Sequence, residues 1–423
     1  MLEITRIREN KQEIVDGLKK RAIDAEPIID QIIDYDQKWK AKLTAMQEVQ
    51  TESNALSKKI GQLFKEGKKE EANEMKDKTA ALKKTEQEHK VDVQAFERKI
   101  QILLYDLPNV PLDEVPAGTT EEDNEVIDEV GSTKTFNFTP LPHWDLAEKY
   151  NLIDFELGVK VTGAGFPFYK GRGARLQRAL INYFLDEAEK AGYEEFIPPL
   201  VVNEASGIGT GQLPDKEGQM YHINEDDLYL IPTAEVPLTN MFRDVIIPNE
   251  DFSYKLTGYT PCFRREAGSY GKDVRGLNRL HQFDKVELVR VEHPNNSMKA
   301  LEEMIAHTRS LLEGLGLHYR VLKLCGGDLG FTASITYDFE VYSAAQERWL
   351  EVSSVSLFES FQSNRLKLRF KTEDKKTRLC HTLNGSALAL PRIVAALLEN
   401  NQTENGIDLP KVLVPYTGFS TIK

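Results

Sequence analysis

The sequence predicts an α+β protein, with a long antiparallel helical hairpin followed by one large mixed domain. Three observations carry that prediction. Apolar residues recur near heptad spacing in two successive stretches of the first hundred or so residues. A proline- and acid-rich stretch then breaks the pattern. From about Thr135 to the end, amphipathic helical segments alternate with short β-rich runs, without internal repeats.

The hairpin comes first. Trp39, Leu43, Met46, Val49, Leu56, Ile60 and Leu63 form one apolar series, and Met75, Leu82, Val93, Phe96, Ile100 and Leu103 form a looser second one. A glycine-flanked tip from Gly61 to Gly67, with further lysines just beyond it, separates them. Two such arms read as antiparallel partners. Arms of about 40 residues would reach about 60 Å, too long to be buried in a globule, so the hairpin is expected to project. Between Lys38 and Lys99 there are 15 Lys plus Arg against 11 Asp plus Glu, a local surplus of positive charge in a chain of net charge −13. That surface fits a solvated coiled-coil face or an arm that follows a phosphate backbone, and spacing does not choose between them.

Residues 109–135 read as an acidic linker. LPNVPLDEVPAGTTEEDNEVIDEVG holds three prolines, two glycines, eight acids and no base, which predicts irregular chain unsuited to nucleic acid. The mixed domain, 136–423, follows, with GARLQRALINYFLDEAEKAG as its first strong amphipathic helix.

Composition and motif absences exclude several classes. MLEITRIREN contains no apolar run of signal-peptide length, and no segment approaches the roughly 20 apolar residues of a membrane span. Cys262, Cys325 and Cys380 are too scattered for a disulfide framework or a zinc cluster, and read as reduced thiols of a cytoplasmic protein. GxxxxGK[ST], GxSxG and HExxH do not occur, and GAGFPF at 163–168 lacks the last glycine of a dinucleotide fingerprint.

A different phosphate device is present. FRREAGSYGKDVRGLNRLHQF (263–283) carries five cations and three glycines, bounded by the apolar runs LTGYTPCF and DKVELVRV. The pattern is that of two strands joined by a long basic loop. Two further stretches belong with it. IPTAEVPLTN (231–240) holds a Thr-x-Glu pair. WLEVSSVS (349–356) is joined by LCHTLNGSALALPRIVAALLE (379–399), where a β-like run meets a helix bearing Arg392 near its first turn. An arginine there can act with the helix N-terminus on an anion.

In this order, and over essentially the whole chain, these segments resemble the seryl-tRNA synthetases, enzymes of class II. The basic loop is similar to the family's motif 2, TAE to its serine-binding element and LNGSALALPR to motif 3. GARLQRALINYFLDEAEKAGYEEFIPPLVV is similar to motif 1, the helix and strand through which class II enzymes dimerise. The resemblance implies a tRNA-binding arm over 1–108 and a class II catalytic domain over 136–423, built on a mixed, mainly antiparallel sheet flanked by helices. It also implies activation of L-serine by ATP with Mg2+, and transfer to tRNA(Ser) held by the arm, with tRNA(Sec) as a further acceptor. A cytoplasmic homodimer without membrane attachment completes the expectation.

By the same resemblance, Arg264 contacts the α-phosphate and forms the catalytic pair with Arg392. Arg265, Glu266, Arg279, Phe283, Glu351, Val352, Ser353 and Ser354 complete the ATP site. Glu266 orients adenosine, Phe283 stacks on adenine, Arg279 holds the distal phosphates, and Glu351 with Ser354 holds the metal. Thr233, Ala234, Glu235, Arg264, Glu287, Asn384 and Ser386 form the serine site. Planar guanidinium forks suit such bidentate phosphate contacts. Four positions depart from the family's usual residues: Ile335 stands for Lys, Val355 for Cys, Leu357 for Asn and Pro391 for Gly. They bear on packing more than on chemistry. Two rival functions stay open at this level: a paralogue that activates an amino acid without charging tRNA, and a non-catalytic tRNA-binding protein.

Overall fold

The computed structural model describes residues 1–266 and 275–423; the middle of the basic loop lies outside them. The chain divides into two compact units. One comprises Leu2–Lys19 and Ile23–Pro108; the other comprises Asn109–Lys423 with Met1 and Lys20–Ala22.

The smaller unit has two short helices, α1 (Ile4–Glu9) and α2 (Lys11–Lys19), and two long ones, α3 (Glu26–Lys65) and α4 (Lys69–Asp106). The long pair runs antiparallel: Tyr35 meets Phe96, Lys42 pairs with Asp92 at 2.8 Å, and Glu52 pairs with Lys78 at 3.2 Å. Ile29, Ile32, Leu63, Ala72, Val93, Ile100 and Leu104 form its buried seam. The expected tip is narrower than Gly61–Gly67. Gly61 continues α3, and the reversal is made by Glu66–Lys68 around Gly67, whose φ of +79° favours glycine. A glycine inside a helix costs only about 1 kcal/mol against alanine, so a well-paired arm absorbs it.

The larger unit is organised on an eight-stranded sheet. Its strands are β1 (Glu125–Val130), β2 (Glu194–Glu195), β3 (Ser253–Phe263), β4 (Gln282–Glu292), β5 (Tyr319–Lys323), β6 (Ile335–Ser343), β7 (Arg348–Glu359) and β8 (His381–Ala389). Their spatial order is β1-β5-β6-β7-β8-β4-β3-β2, with every pairing antiparallel except β2 against β3. The two runs flanking the basic loop pair in continuous register from Gln282 with Phe263 to Glu292 with Ser253. The acidic stretch is not irregular throughout. Glu125–Val130 is an edge strand on β5, with Lys323 paired to Glu125 at 2.9 Å, and Val110 and Val115 are buried. Cross-strand cations, Lys323 opposite Glu125 and Arg320 opposite Glu129, supply what its acidity obscured.

Alternation along the strands decides what each face does. Val286 and Leu288 of β4, Leu383 and Ala387 of β8, and Ile335 and Phe339 of β6 join the main apolar core. Three helices supply the other half of that core: α6 (Gly171–Lys190), α8 (Ser297–Leu315) and α9 (Leu390–Asn400). The intervening residues, among them Lys285, Glu287, Asn384, Ser386 and Asp338, lie on the opposite face. There the short helix α7 (Glu235–Asn240) packs Leu238, with Ala234 just before it, against Val289.

Leu176, Leu180, Tyr183 and Phe184 of α6, expected to form a dimer surface, are buried in this intramolecular core. Their apolar stripe is used up within one chain and carries no argument for a partner. Pro391 sits in the first turn of α9, where its missing N–H has no helical partner to lose. No helix among the described residues is long and apolar enough to cross a membrane.

Candidate functional site

The residues expected to bind serine converge. Thr233 Oγ1 donates to Glu287 Oε2 at 2.9 Å, and Asn384 Nδ2 donates to Glu235 Oε2 at 3.0 Å and to Glu287 Oε1 at 3.2 Å. Ala234 is buried beside them, and Ser386 lies opposite Glu287 in the β4–β8 register. This is a buried acidic pair. Desolvation, reinforced by the charge of Glu287, pushes the Glu235 carboxyl up to about 7, while Gln362, Lys285 and Arg264 oppose the shift.

Three residues of this cluster escaped sequence reasoning. Lys285 Nζ lies 2.5 Å from Glu287 Oε2 and neutralises part of the pair. Gln362 Nε2 donates to Glu235 Oε1 at 2.7 Å, and Thr382 Oγ1 holds Gln362 by its Oε1 at 2.7 Å. Strand alternation could have found Lys285, two residues before Glu287, and Thr382, two before Asn384. Gln362 comes from another element and has no local signal.

The ATP residues gather next to this cluster. Arg264 lies over the Phe283 ring, 5.3 Å from its centroid, and its backbone N–H donates to the His281 carbonyl at 2.9 Å. Glu266 accepts from Arg279 Nη1 at 3.0 Å, and its N–H donates to Gln219 Oε1 at 3.0 Å. Arg265 follows Arg264 with its side chain exposed, and its N–H donates to the Gln219 carbonyl at 2.9 Å. Arg392 reaches across from α9: Nε donates to the Asn278 carbonyl at 3.0 Å, and Nη1 to the Glu351 carbonyl at 2.6 Å.

Glu351 and Ser354 are three residues apart and would face opposite sides of a regular strand. A bulge brings them together. In the β6–β7 register Glu340 faces Glu351 and Phe339 faces Ser353, so Val352 is an extra residue. Glu351 and Ser354 therefore line one cavity of about 1130 Å³, with Asp338, Arg279 and Arg392. Val352 and Ser353, also expected at the ATP site, present no side chain to it. Val352 packs in the apolar core, and Ser353 Oγ donates to the Ser386 carbonyl at 2.6 Å. Any contact they make to a nucleotide runs through backbone.

The donor set fits a hard cation. Asp338 Oδ1 is buried and has no hydrogen-bond partner, and burial plus the charge of Glu351 raise its carboxyl well above the usual range. Among the described residues no three His, Cys, Asp or Glu side chains form a closed metal cage. Mg2+ rarely takes such a cage; it is typically held by one or two carboxylates together with substrate phosphates.

Two of the departures prove to be neighbours. Ile335 and Leu357 are direct partners in the β6–β7 register, and both are buried in the main core. Where the resemblance implies lysine and asparagine, this chain packs two apolar side chains.

A mainly antiparallel sheet carrying a basic loop between two adjacent strands, with an arginine from the helix after β8 reaching the same site, defines the catalytic core of a class II aminoacyl-tRNA synthetase. Residues 219–401 match the tRNA synthetase class II core domain (G, H, P, S and T). Residues 1–111 match the seryl-tRNA synthetase N-terminal domain. A serine–tRNA ligase of Salinibacter ruber is 51% identical over 424 residues, covering 100% of this chain and 99% of the relative. One from a Sulfurovum species is 45% identical, covering 98% and 100%. The crystal structure of seryl-tRNA synthetase from Pyrococcus horikoshii complexed with ATP matches with a TM-score of 0.92 at 35% identity, covering 100% of this chain and 99% of that one. The chain belongs to the seryl-tRNA synthetase family.

Proposed function

We propose that this chain activates L-serine with ATP and charges tRNA(Ser), using the residues assembled on the open face of the sheet. The observation that carries the reading is the juxtaposition of a buried acidic pair, Glu235 and Glu287, with Arg264 on the stem of the basic loop. The acids suit an amino acid's ammonium. Arg264 suits its carboxylate and the α-phosphate together.

In the first step a serine carboxylate oxygen attacks the α-phosphorus, the bond to the bridging oxygen breaks, and pyrophosphate leaves. Arg264 and Arg392 stabilise the charge that builds on phosphate oxygens, and Arg279 holds the distal phosphates. Phe283 offers one face to adenine. Glu351 and Ser354, with Asp338 behind them, would hold Mg2+, which supplies charge neutralisation on the phosphates. In the second step a hydroxyl of the terminal tRNA ribose attacks the seryl carbonyl, and AMP leaves. No side-chain nucleophile is needed; position and charge do the chemistry.

The arm, residues 1–108, is proposed as the tRNA-binding element, and the homodimer is retained as a proposal on different grounds from α6. Ile197, just after β2, is 91% exposed, an unusual position for a large apolar side chain, with Leu200 and Val201 also exposed nearby. Sedimentation at micromolar concentration showing only monomer would remove the dimer. The three cysteines are free and buried, as suits a reducing cytoplasm.

Serine-dependent ATP–pyrophosphate exchange, followed by charging of tRNA(Ser) and tRNA(Sec), tests the function. Exchange without charging would favour the paralogue, and neither activity would favour the non-catalytic binder. Arg264→Ala should lower exchange by about 10²–10³. Arg264→Lys should recover little of it, since an ammonium cannot reproduce the fork.

A further inference from the structure

Outside the residues assigned so far, a buried polar network grips the return stem of the basic loop. His143 opens the helix α5 (His143–Lys149) and is completely buried. Its Nε2 accepts from the Leu277 backbone N–H at 2.8 Å, which fixes the neutral tautomer with the proton on Nδ1. That proton is donated to Glu399 Oε1 at 2.7 Å.

Glu399, near the end of α9, is equally buried and accepts from four donors: His143 N at 2.9 Å, His143 Nδ1, Gln346 Nε2 at 2.9 Å and Ser343 Oγ. Three of these donors converge on Oε1 and the Ser343 hydroxyl takes Oε2, so both carboxylate oxygens are engaged. The same network reaches Asn278, whose Nδ2 donates to Gln346 Oε1 at 3.0 Å.

Two more contacts aim at the same stem. Arg275 lies 4.4 Å from the centroid of the Trp144 ring. A Cβ at Gly276 would fall 2.2 Å from His143 Nε2, and this glycine has a φ of +65°, so the residue between the two anchors admits no side chain. Residues 275–278 are thus held at successive points by His143, Trp144 and Gln346. Arg279 comes next in the chain.

We propose that His143 is a positioning residue for the ATP half of the site: through the Leu277 amide, and with Trp144, it sets where Arg279 stands. The inference rests on the reading of Arg279 as a phosphate contact. It predicts an effect on ATP that is separable from serine, because the Glu235–Glu287 cluster shares no residue with this network.

The test uses the full-length protein in serine-dependent pyrophosphate exchange. His143→Ala should raise KM for ATP about tenfold or more and leave KM for serine unchanged, since a small displacement of a substrate-positioning group can cost that much or more. His143→Gln can place a carbonyl oxygen where Nε2 accepts and should recover part of the loss. His143→Asn keeps only the donor toward Glu399 and should not. Hydrogen exchange should show the Leu277 amide opening faster in the Ala and Asn variants than in the Gln variant. Trp144→Leu, at a half-buried position, should fold even if His143→Ala does not, and should also raise KM for ATP. Unchanged KM for ATP in the folded variants would overturn the proposal, as would equal rises for ATP and serine, or Gln and Asn losses that simply follow melting temperature. A wild-type protein without serine-dependent exchange would instead sink the functional reading itself.

Discussion

At the scale of single residues, the site is a balance of buried charge, and Glu235 is where that balance is closest to tipping. Its folded pKa of about 7 lies above the ordinary 4.5 because burial and Glu287 both disfavour the ionised form. The sign follows directly. In the ligand-free protein this carboxyl's contribution to stability is complete below its unfolded pKa and is lost as pH rises through about 7. Serine bound as proposed would change the sign of the environment, because an ammonium beside Glu235 favours its carboxylate. Binding should therefore release a proton near neutrality, and serine affinity should fall by up to about tenfold per unit as pH drops below 7. Calorimetry in buffers of different ionisation enthalpy reads the proton directly. Identical heats in all of them would show that Glu235 is already ionised. Much of this site was legible in the sequence only through the family resemblance, which picked out Glu287, Asn384 and Ser386; their shared face follows from the strand register that the structure shows. Gln362 was not legible: what makes it part of the site is a tertiary contact to Glu235.

At the scale of elements, irregularity matters more than regular structure. The strands around the basic loop could be read from their apolar runs, but the bulge at Val352 could not, and it is what sets Glu351 and Ser354 on one face. A strand read at strict period two would have separated them. The same strand pair contains the two facing departures. Ile335 and Leu357 behave as one change: lysine alone at 335 would bury an unpaired charge, and asparagine alone at 357 would bury an unpaired amide. Ile335→Lys and Leu357→Asn should each destabilise the protein markedly, while the double variant recovers part of the loss. The coupling should fall in the range of about 0.5–3 kcal/mol found for residues in contact. Denaturant melts of the four proteins measure it, and strictly additive losses would mean that the two positions are independent.

At the scale of the whole molecule, the two proposed jobs fall on different compact units of the chain. Every residue proposed to touch serine or ATP lies between Thr233 and Arg392, inside the larger unit. The smaller unit contributes a long antiparallel pair of helices with a surplus of lysine and arginine. Composition alone left that surface open to a bland reading as a solvated face. Family membership favours RNA, and structured RNA offers side chains a backbone and a shape more than readable base edges. The register of the pair allows a clean test. Lys42 and Asp92 are ion-paired across the hairpin, which sets Val91 level with Leu43, about one helical turn below Met46. Deleting Gln47–Lys90 and joining the helices with a short turn should preserve the base of the arm. Serine-dependent pyrophosphate exchange should survive, whereas charging of tRNA(Ser) should fall steeply through weaker binding. The salt dependence of the remaining binding should become shallower, since each lost phosphate contact removes about 0.7–0.9 from the log–log slope. If the shortened protein charges tRNA(Ser) as well as the full chain does, the arm is a spacer and the lysines along it serve only solubility.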